Sequence, residues 1–479
     1  MATVNYDTLI PNNVYLSTDR RLQRALEQWH PKFLNWWLRR GPKDFQTNEI
    51  YLRTAVGVER GNWAKFGFVR MPDYRWGILL APAVEDRKIP FGEHKGDPVW
   101  HEVPGEYRGL IKRLLVVQGD TEPASVEQQR FLGHTAPSLY DMRNLFQVNV
   151  EEARHLWAMV YLLHKYFGRD GREEAEALLE RTSGDADKPR ILGAFNEETP
   201  DWLSFFLFTS FTDRDGKMQL ECLAQSGFDP LSRTCRFMLT EEAHHMFVGK
   251  SGVERILART CEAMNAADIS DPGDVGAIRA RGVMDLPLIQ RKMNFHFSVT
   301  LDLFGSEIST NAANAFTAGV KGRFHEVDIT DDHRLLNDTY PLLQNVDGKL
   351  VVTQAPAISA INARLVDDYI ADCETIVVAW NKTIAKSNID FTLSLPHRGF
   401  NRQIGGFADL HITPIGKIVN DELWAAASID CLPSQEDLTY ILSLMNATLT
   451  PGAYASWIAP PKNGVGGKPG DFEYVRITS

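Results

Sequence analysis

The sequence predicts a mainly α-helical fold, and three observations lead to that prediction. Apolar residues recur with helical spacing through most of the segment from about 105 to 290. The pentapeptide Glu-Glu-Ala-x-His occurs twice in that segment, at 151–155 and again 90 residues later at 241–245. Period-two patterns among glycines, which favour short strands, are prominent outside it, at residues 50–81.

Length and composition set the scale of the protein. A chain of 479 residues exceeds what one typical core needs, and 44% hydrophobic with 24% charged residues is typical of a globular protein in water. The net charge of −11 argues against a general binder of nucleic acid or of anionic membranes. Five scattered cysteines without a Cys-x-x-Cys pair favour a reducing compartment. Because signal-peptide and membrane-span patterns are lacking, we expect a cytoplasmic location.

The predicted elements divide the chain into three regions. Residues 1–100 are an N-terminal extension, in which Ser17-Thr18-Asp19 caps a helix that runs to Trp37. Residues 101–335 hold the helical bundle, with four candidate helices over 106–134, 139–168, 200–225 and 231–263. The segment 170–201 is a crossover between two halves, and a further long helical region spans 286–323. Residues 336–479 are a C-terminal extension of short helices and extended pieces that covers the bundle.

Each copy of the repeated motif places a carboxylate and an imidazole one helical turn apart. Residues i and i+3 share a helix face, so a single helix can offer both groups to one metal ion. Aligning the two copies selects the second glutamate of each, since the first histidine of the second copy then matches Arg154. The resulting pairs are Glu152 with His155 and Glu242 with His245.

Amphipathicity supports this register. Leucine, valine and methionine share the face of Glu152, and a carboxylate among such side chains is costly unless it is paired or bound to metal. The face of Glu151 carries instead Asn144, Gln147 and Arg154, and we expect that face to meet water.

A two-metal bundle needs one more carboxylate from each remaining helix. The candidates are Glu122 and Glu127 before the first motif, and Asp213, Asp215 and Glu221 before the second. Glu122 precedes Glu152 by 30 residues, and Asp213 precedes Glu242 by 29. Matched spacings are typical of a duplicated helix pair, so we choose Glu122 and Asp213, with Asp215 as the main competitor.

Four carboxylates and two imidazoles suit two Fe(II) ions and leave positions open for O2. The fold class predicted is therefore a ferritin-like four-helix bundle with a di-iron site and two extensions. In this arrangement Glu152 and Glu242 bridge the ions, while Glu122 and Asp213 are terminal ligands.

Four further stretches, outside the two metal motifs, are similar to those of a known protein family. They are Ile10-Pro-Asn-Asn-Val14, Arg24-Ala-Leu-Glu-Gln-Trp29, Phe33-Leu-Asn-Trp-Trp37 and Gln118-Gly-Asp-Thr-Glu-Pro123. With these, most of the chain resembles the oxygenase component of the benzoyl-coenzyme A 2,3-epoxidase family. The resemblance implies insertion of one atom of O2 across the 2,3 bond of the benzoyl-CoA ring, in aerobic benzoate degradation. It also adds support for Glu122 and Asp213 that spacing alone could not give.

The resemblance also implies partners. Electrons would come from NADPH through a separate reductase that carries FAD and iron–sulfur clusters, and this chain has no Gly-x-Gly-x-x-Gly fingerprint after a strand. Gln118, one turn before Glu122, is the candidate to hydrogen-bond the thioester carbonyl or an iron-bound species, although an amide that only supports a ligand or lies at the surface is the more ordinary interpretation. Lys321 and Arg323 are candidates for the phosphates of coenzyme A, although a solvated surface pair is the more ordinary interpretation.

The alternatives keep the bundle but change its use. A di-iron hydroxylase or desaturase that acts on another acyl thioester or hydrocarbon is the main one. An iron store would not need the long extensions, and a radical subunit needs a tyrosine beside the irons, whereas Tyr161 lies on a different face from Glu152. A non-catalytic alternative is a scaffold bundle without metal, in which Glu152→Ala would leave stability intact or raise it by relieving a buried charge. For Glu27 and His30, which share the spacing, we expect an ordinary solvated pair.

Overall fold

The computed structural model describes residues 2–43, 45, 50–58 and 64–462, so the end of the predicted C-terminal extension lies outside the described residues. The helices are α1 (Arg20–Arg40), α2 (Arg108–Gln128), α3 (Leu139–Glu180), α4 (Trp202–Ala224), α5 (Asp229–Ala266), α6 (Val275–Arg279), α7 (Leu286–Leu301), α8 (Thr310–Thr317), α9 (Ile361–Lys386), α10 (Asp421–Cys431) and α11 (Gln435–Leu444). The strands are β1 (Ala2–Thr3), β2 (Tyr51–Val58), β3 (Ala64–Arg70), β4 (Thr339–Val346), β5 (Lys349–Pro356), β6 (His411–Ile412) and β7 (Ile418–Val419). A mainly helical chain with short strands is thus confirmed.

The helix ends follow local signals in the sequence. Asp19 caps α1 as predicted, because its side chain accepts a hydrogen bond from the backbone nitrogen of Leu22. The predicted second bundle helix ends at Gly168, as expected, because this residue adopts a non-helical φ of 60°, and a second helical segment then continues α3 to Glu180. The helical region predicted over 286–323 is divided at Gly305, which has φ 75° and separates α7 from α8.

The four long central helices pack in pairs. α2 packs along α3, α4 packs along α5, and α3 also contacts α5. α7 and α9 cover α4, while α9 also packs on α5. Among the described helices, none combines the length and the apolar character that crossing a bilayer would require.

The first part of α3, up to His164, is enclosed on every side. All its residues from Leu139 to His164 are buried, because α1, α2, α5 and the N-terminal sheet β1–β2–β3 surround it. The sheet is antiparallel and lays β2 against α3. The prediction that the face of Glu151 meets water is therefore wrong, since β2 covers that face. Its other members, Asn144, Gln147 and Arg154, are buried as well.

A buried ion pair ties α4 to α7. The Asp201 side chain caps α4 by accepting from the backbone nitrogen of Ser204 at 2.8 Å, and the Lys292 ammonium of α7 donates to it at 2.7 Å. Burial raises the pKa of Asp201, but Lys292 and the Ser204 hydrogen bonds outweigh burial and hold it below its usual value.

We expect Asp201→Ala to lower the free energy of unfolding by about 3–5 kcal/mol, because it removes the cap and leaves the Lys292 charge buried without its partner. Thermal unfolding followed by circular dichroism measures the loss. Asp19→Ala, which removes an exposed cap, is the matched control and should cost about 1 kcal/mol. Because the pKa of Asp201 is depressed, its contribution is present at neutral pH and disappears as pH falls below the ordinary aspartate range. Equal shifts in the two variants would contradict this account of the pair.

Candidate metal centre

The structure brings the six predicted ligands into one buried cluster between the four central helices. None of the six residues has more than 6% of its surface exposed. The contributors are Glu122 from α2, Glu152 and His155 from α3, Asp213 from α4, and Glu242 and His245 from α5.

The cluster contains two groups of potential ligand atoms that share one residue. One atom each from Glu122, Glu152 and His155 lie within 4.8 Å of one another. One atom each from Glu152, Asp213 and His245 do the same. Two adjoining positions for ions, with Glu152 common to both, follow from this geometry.

Glu152 and Glu242 each turn one oxygen toward each histidine. His155 Nδ1 lies 3.7 Å from Oε2 of Glu152 and 3.6 Å from Oε1 of Glu242. His245 Nδ1 lies 3.4 Å from Oε1 of Glu152 and 3.5 Å from Oε2 of Glu242. A carboxylate with one oxygen toward each of two sites is in the position that a bridging ligand needs.

Glu122 and Asp213 each face one histidine. Glu122 Oε2 is 3.3 Å from His155 Nδ1, and Asp213 Oδ2 is 3.8 Å from His245 Nδ1. Each therefore lies at one end of the cluster. The two ends are built from different helix pairs, α2 with α3 and α4 with α5, in agreement with the duplicated spacing.

The competing carboxylates have other partners. Asp215 accepts a hydrogen bond from Gln219 Nε2 at 2.9 Å. Glu127 accepts from Trp36 Nε1 at 2.9 Å, and Glu221 lies 3.6 Å from the ammonium of Lys217. The structure thus places Asp213, and not Asp215, in the cluster.

The first glutamate of each motif makes a contact that the sequence did not predict. His155 Nε2 donates to Glu241 Oε2 at 2.9 Å, and His245 Nε2 donates to Glu151 Oε2 at 3.1 Å. The partners are crossed, since each histidine bonds to the glutamate of the other motif. With Nε2 donating, the lone pair of Nδ1 faces the cluster, which is the tautomer that a metal ligand needs. The repetition of both glutamates, and not only the second, was the available signal.

An arginine neutralises each of these two glutamates. Arg53, from β2, donates through Nε to Glu151 at 2.6 Å. Arg154, from α3, donates through Nε to Glu241 at 2.9 Å. Burial raises the pKa of Glu151, but Arg53 and His245 outweigh it and hold this pKa well below its usual range.

The electrostatics of the cluster favour a bound cation. Burial raises the pKa of Glu122 to about 8 and, with the neighbouring Glu152 carboxylate, raises that of Asp213 well above its usual value. Burial lowers the pKa of His155 and His245, but the surrounding carboxylates outweigh it and raise both. Concentrated negative charge of this kind is relieved by protons or by metal ions.

The atoms left without hydrogen bonds also fit a metal. Within the part of the chain that the structure describes, His155 Nδ1, His245 Nδ1, Asp213 Oδ2 and Glu242 Oε2 are buried and have no hydrogen-bond partner. Buried polar atoms are almost always satisfied, and these four belong to one cluster. Carboxylate oxygens and imidazole nitrogens together suit divalent iron.

Gln118 lies beside the cluster. Its Nε2 donates to Glu122 Oε1 at 2.9 Å, and the residue is half-buried. Its observed contact is therefore with a predicted ligand, where it orients the carboxylate of Glu122.

Four carboxylates and two histidines from four helices define a helical protein with a candidate two-metal centre. No family model matches the chain. Benzoyl-CoA oxygenase component B from Aromatoleum evansii is 59% identical to it over 474 residues, which are 99% of this chain and all of that protein. The chain belongs to the benzoyl-CoA oxygenase component B family, and the resemblance inferred from the sequence is confirmed.

We expect Glu151→Gln to weaken binding of divalent iron by about 10–100-fold, because a neutral amide is a poorer acceptor for His245 and leaves Arg53 without its counter-charge. Titration of the metal-depleted protein with Fe(II) under anaerobic conditions measures the change. Glu27→Gln is the matched control, since Glu27 precedes His30 at the same spacing but lies in α1, away from the cluster. Unchanged affinity in Glu151→Gln would show that the crossed hydrogen bonds do not orient the ligands.

Proposed function

We propose that this protein is the oxygenase component of a benzoyl-CoA 2,3-epoxidase, built on a ferritin-like bundle with a di-iron centre. It adds one atom of O2 across the 2,3 bond of the benzoyl ring, and the other atom leaves as water. Electrons come from NADPH through a separate reductase with FAD and iron–sulfur clusters. The observation that carries the proposal is the buried two-position cluster in a chain 59% identical to a benzoyl-CoA oxygenase component.

The six clustered residues would hold two irons. Glu122 and His155 would serve one ion, Asp213 and His245 the other, and two glutamates would bridge them. Bound as Fe(II), the pair supplies electrons for the reduction of O2.

The chain's own residues prepare the site for this chemistry. Glu151 and Glu241 hold the two imidazoles in the required tautomer, and Gln118 fixes the position of Glu122. The complete burial of α3 around Glu152 keeps bulk water away, which limits the loss of electrons to unproductive reduction of O2.

A cavity of about 210 Å³ beside α2 supports an acyl-CoA substrate. Leu110, Leu114 and Val117 line it from one face of α2, and the next residue, Gln118, contacts Glu122. Phe304 contributes to the apolar lining on the other side. The apolar part of this lining, on the helix that also carries Glu122, suits the benzoyl ring.

Basic residues accompany this apolar lining. Arg113, Lys321, Arg323 and Arg364 all line the cavity, with Asp368 as the acidic member. Such a surplus of positive charge suits the phosphates of coenzyme A.

These basic side chains differ in how free they are to bind a phosphate. Arg323 is not the solvated surface residue that the sequence suggests, because it is buried and paired with Glu326 and Asp331 at 2.8 and 2.7 Å. Lys321 is half-buried and donates to Gln219, whereas Arg113 is exposed and forms no ion pair with any described residue. We assign phosphate binding to Arg113 and Lys321.

The purified protein should contain about two irons per chain. Elemental analysis, with iron and zinc read together, should show loss of most of this iron in Glu152→Ala and Glu242→Ala, because each variant removes a bridging ligand. Glu27→Ala should retain it, since the same spacing occurs there without a second motif. No iron after anaerobic loading with Fe(II), or one tightly held zinc, would remove the basis of the proposal.

The reduced protein with O2 should convert benzoyl-CoA to a product one oxygen atom heavier, and free benzoate should not react. Mass spectrometry with isotopically labelled O2 identifies the source of the added atom. Arg113→Glu should raise KM for benzoyl-CoA while iron content stays unchanged, because it reverses a charge at the cavity and touches no ligand. Equal turnover of free benzoate would show that the protein does not recognise the coenzyme A group, and would favour a hydroxylase that acts on another substrate.

A further inference from the structure

Electrons must reach a buried centre, and along the chain the centre comes nearest to solvent on α5. Every residue of α3 from Leu139 to His164 is buried, so neither ligand there has an exposed neighbour in sequence. On α2 and α4, residues close to the predicted ligands are buried or half-buried. Among the described residues within five positions of any predicted ligand, the exposed ones are Ala243, Phe247 and Lys250, all on α5.

Ala243, Phe247 and Lys250 form a single stripe, which we call the α5 patch. Their i, i+4 and i+7 spacing places them on one face of the helix. Phe247 is 54% exposed and lies two residues after His245, a predicted ligand. An exposed large aromatic side chain is typical of the apolar anchors that concentrate binding energy at protein interfaces.

A neighbouring helix supports the α5 patch. Trp380 of α9 donates through Nε1 to the backbone oxygen of Lys250 at 3.0 Å, which fixes α9 beside the patch. The backbone that carries Lys250 is therefore held in place by a second helix.

The charge of the patch is opposite to that of the whole protein. Lys250 is exposed and makes no ion pair with any residue that the structure describes, while the chain as a whole carries −11. Glu241 and Glu242 are buried with partners inside. Glu254, one turn beyond Lys250 on the same face, is paired with Lys462. An acidic partner surface with an apolar centre would complement the patch.

We infer that the α5 patch is the docking surface for the electron-donating reductase component. This inference rests on the proposed function, and the relative's name, component B, implies a partner component. In the complex, NADPH on the reductase is oxidised to NADP⁺ and a proton, and the two electrons released reduce two Fe(III) to two Fe(II). Weak electron-transfer encounters use small interfaces, so a compact patch close to the ligands suffices.

The test is direct binding of the purified reductase, measured by calorimetry, to the wild-type protein and to Phe247→Glu. We expect the Kd to rise at least tenfold, because the substitution puts a carboxylate at the apolar centre against an acidic partner. Lys250→Glu should slow association and reduce its dependence on salt. Leu423→Glu on α10, where Leu423 is 55% exposed, is the matched control and should bind as the wild type does.

Two further readouts separate the alternatives. Iron content and reduction by dithionite should be unchanged in Phe247→Glu, while reduction by NADPH with the reductase slows. Wild-type affinity for the reductase in Phe247→Glu would overturn the inference. So would a wild-type dimer that dissociates in this variant while reductase binding persists, since the patch would then belong to a second copy. A protein that lacked iron yet bound the reductase through the patch would refute the proposed function and leave the docking surface standing.

Discussion

The concentration of four carboxylates in one buried space between four helices is the constraint on which the rest depends. Such a cluster is tolerable only with compensating positive charge, and the protein supplies it in two layers. The proposed irons would supply the inner layer, because His155 and His245 are neutral when their Nδ1 lone pairs face the cluster. The outer layer is the pair of arginines that neutralise Glu151 and Glu241 behind the imidazoles. The helices could not approach this closely around uncompensated charge.

The crossed hydrogen bonds explain why the motif repeats as five residues and not four. Each helix contributes a ligand pair and also the acceptor that orients the other helix's histidine. The two halves of the bundle therefore fix each other's ligands. The arginines break this symmetry, since Arg154 lies in the first motif while Arg53 comes from β2. Through Arg53 the N-terminal extension is part of the electrostatics of the centre as well as a cover for α3.

The sequence was sufficient for what local periodicity and spacing determine. Helix positions, the register that selects Glu152 and Glu242, and the choice of Asp213 over Asp215 all agree with the geometry. The burial of the Glu151 face could not be predicted in the same way. On an isolated helix the polar residues of this face would meet water. In the fold they are buried, and Glu151 pairs with Arg53, which lies 98 residues before it in the chain. Arg323 was misread for the same reason, because its acidic partners lie in a loop whose path no periodicity reveals.

The proposed centre must be shielded from water and must also be reached by substrate and electrons. Different helices, α2 and α5, would serve these two kinds of access. In the proposed function, substrate would occupy the cavity beside α2, which Leu110, Leu114 and Val117 line from the helix that carries Glu122. Electrons need only proximity, because they can cross packed protein without an opening. In the proposed function, the surface of α5 would therefore stay closed over His245 and still serve a partner. An electron route without a channel would admit no water, so α3 would stay buried around Glu152.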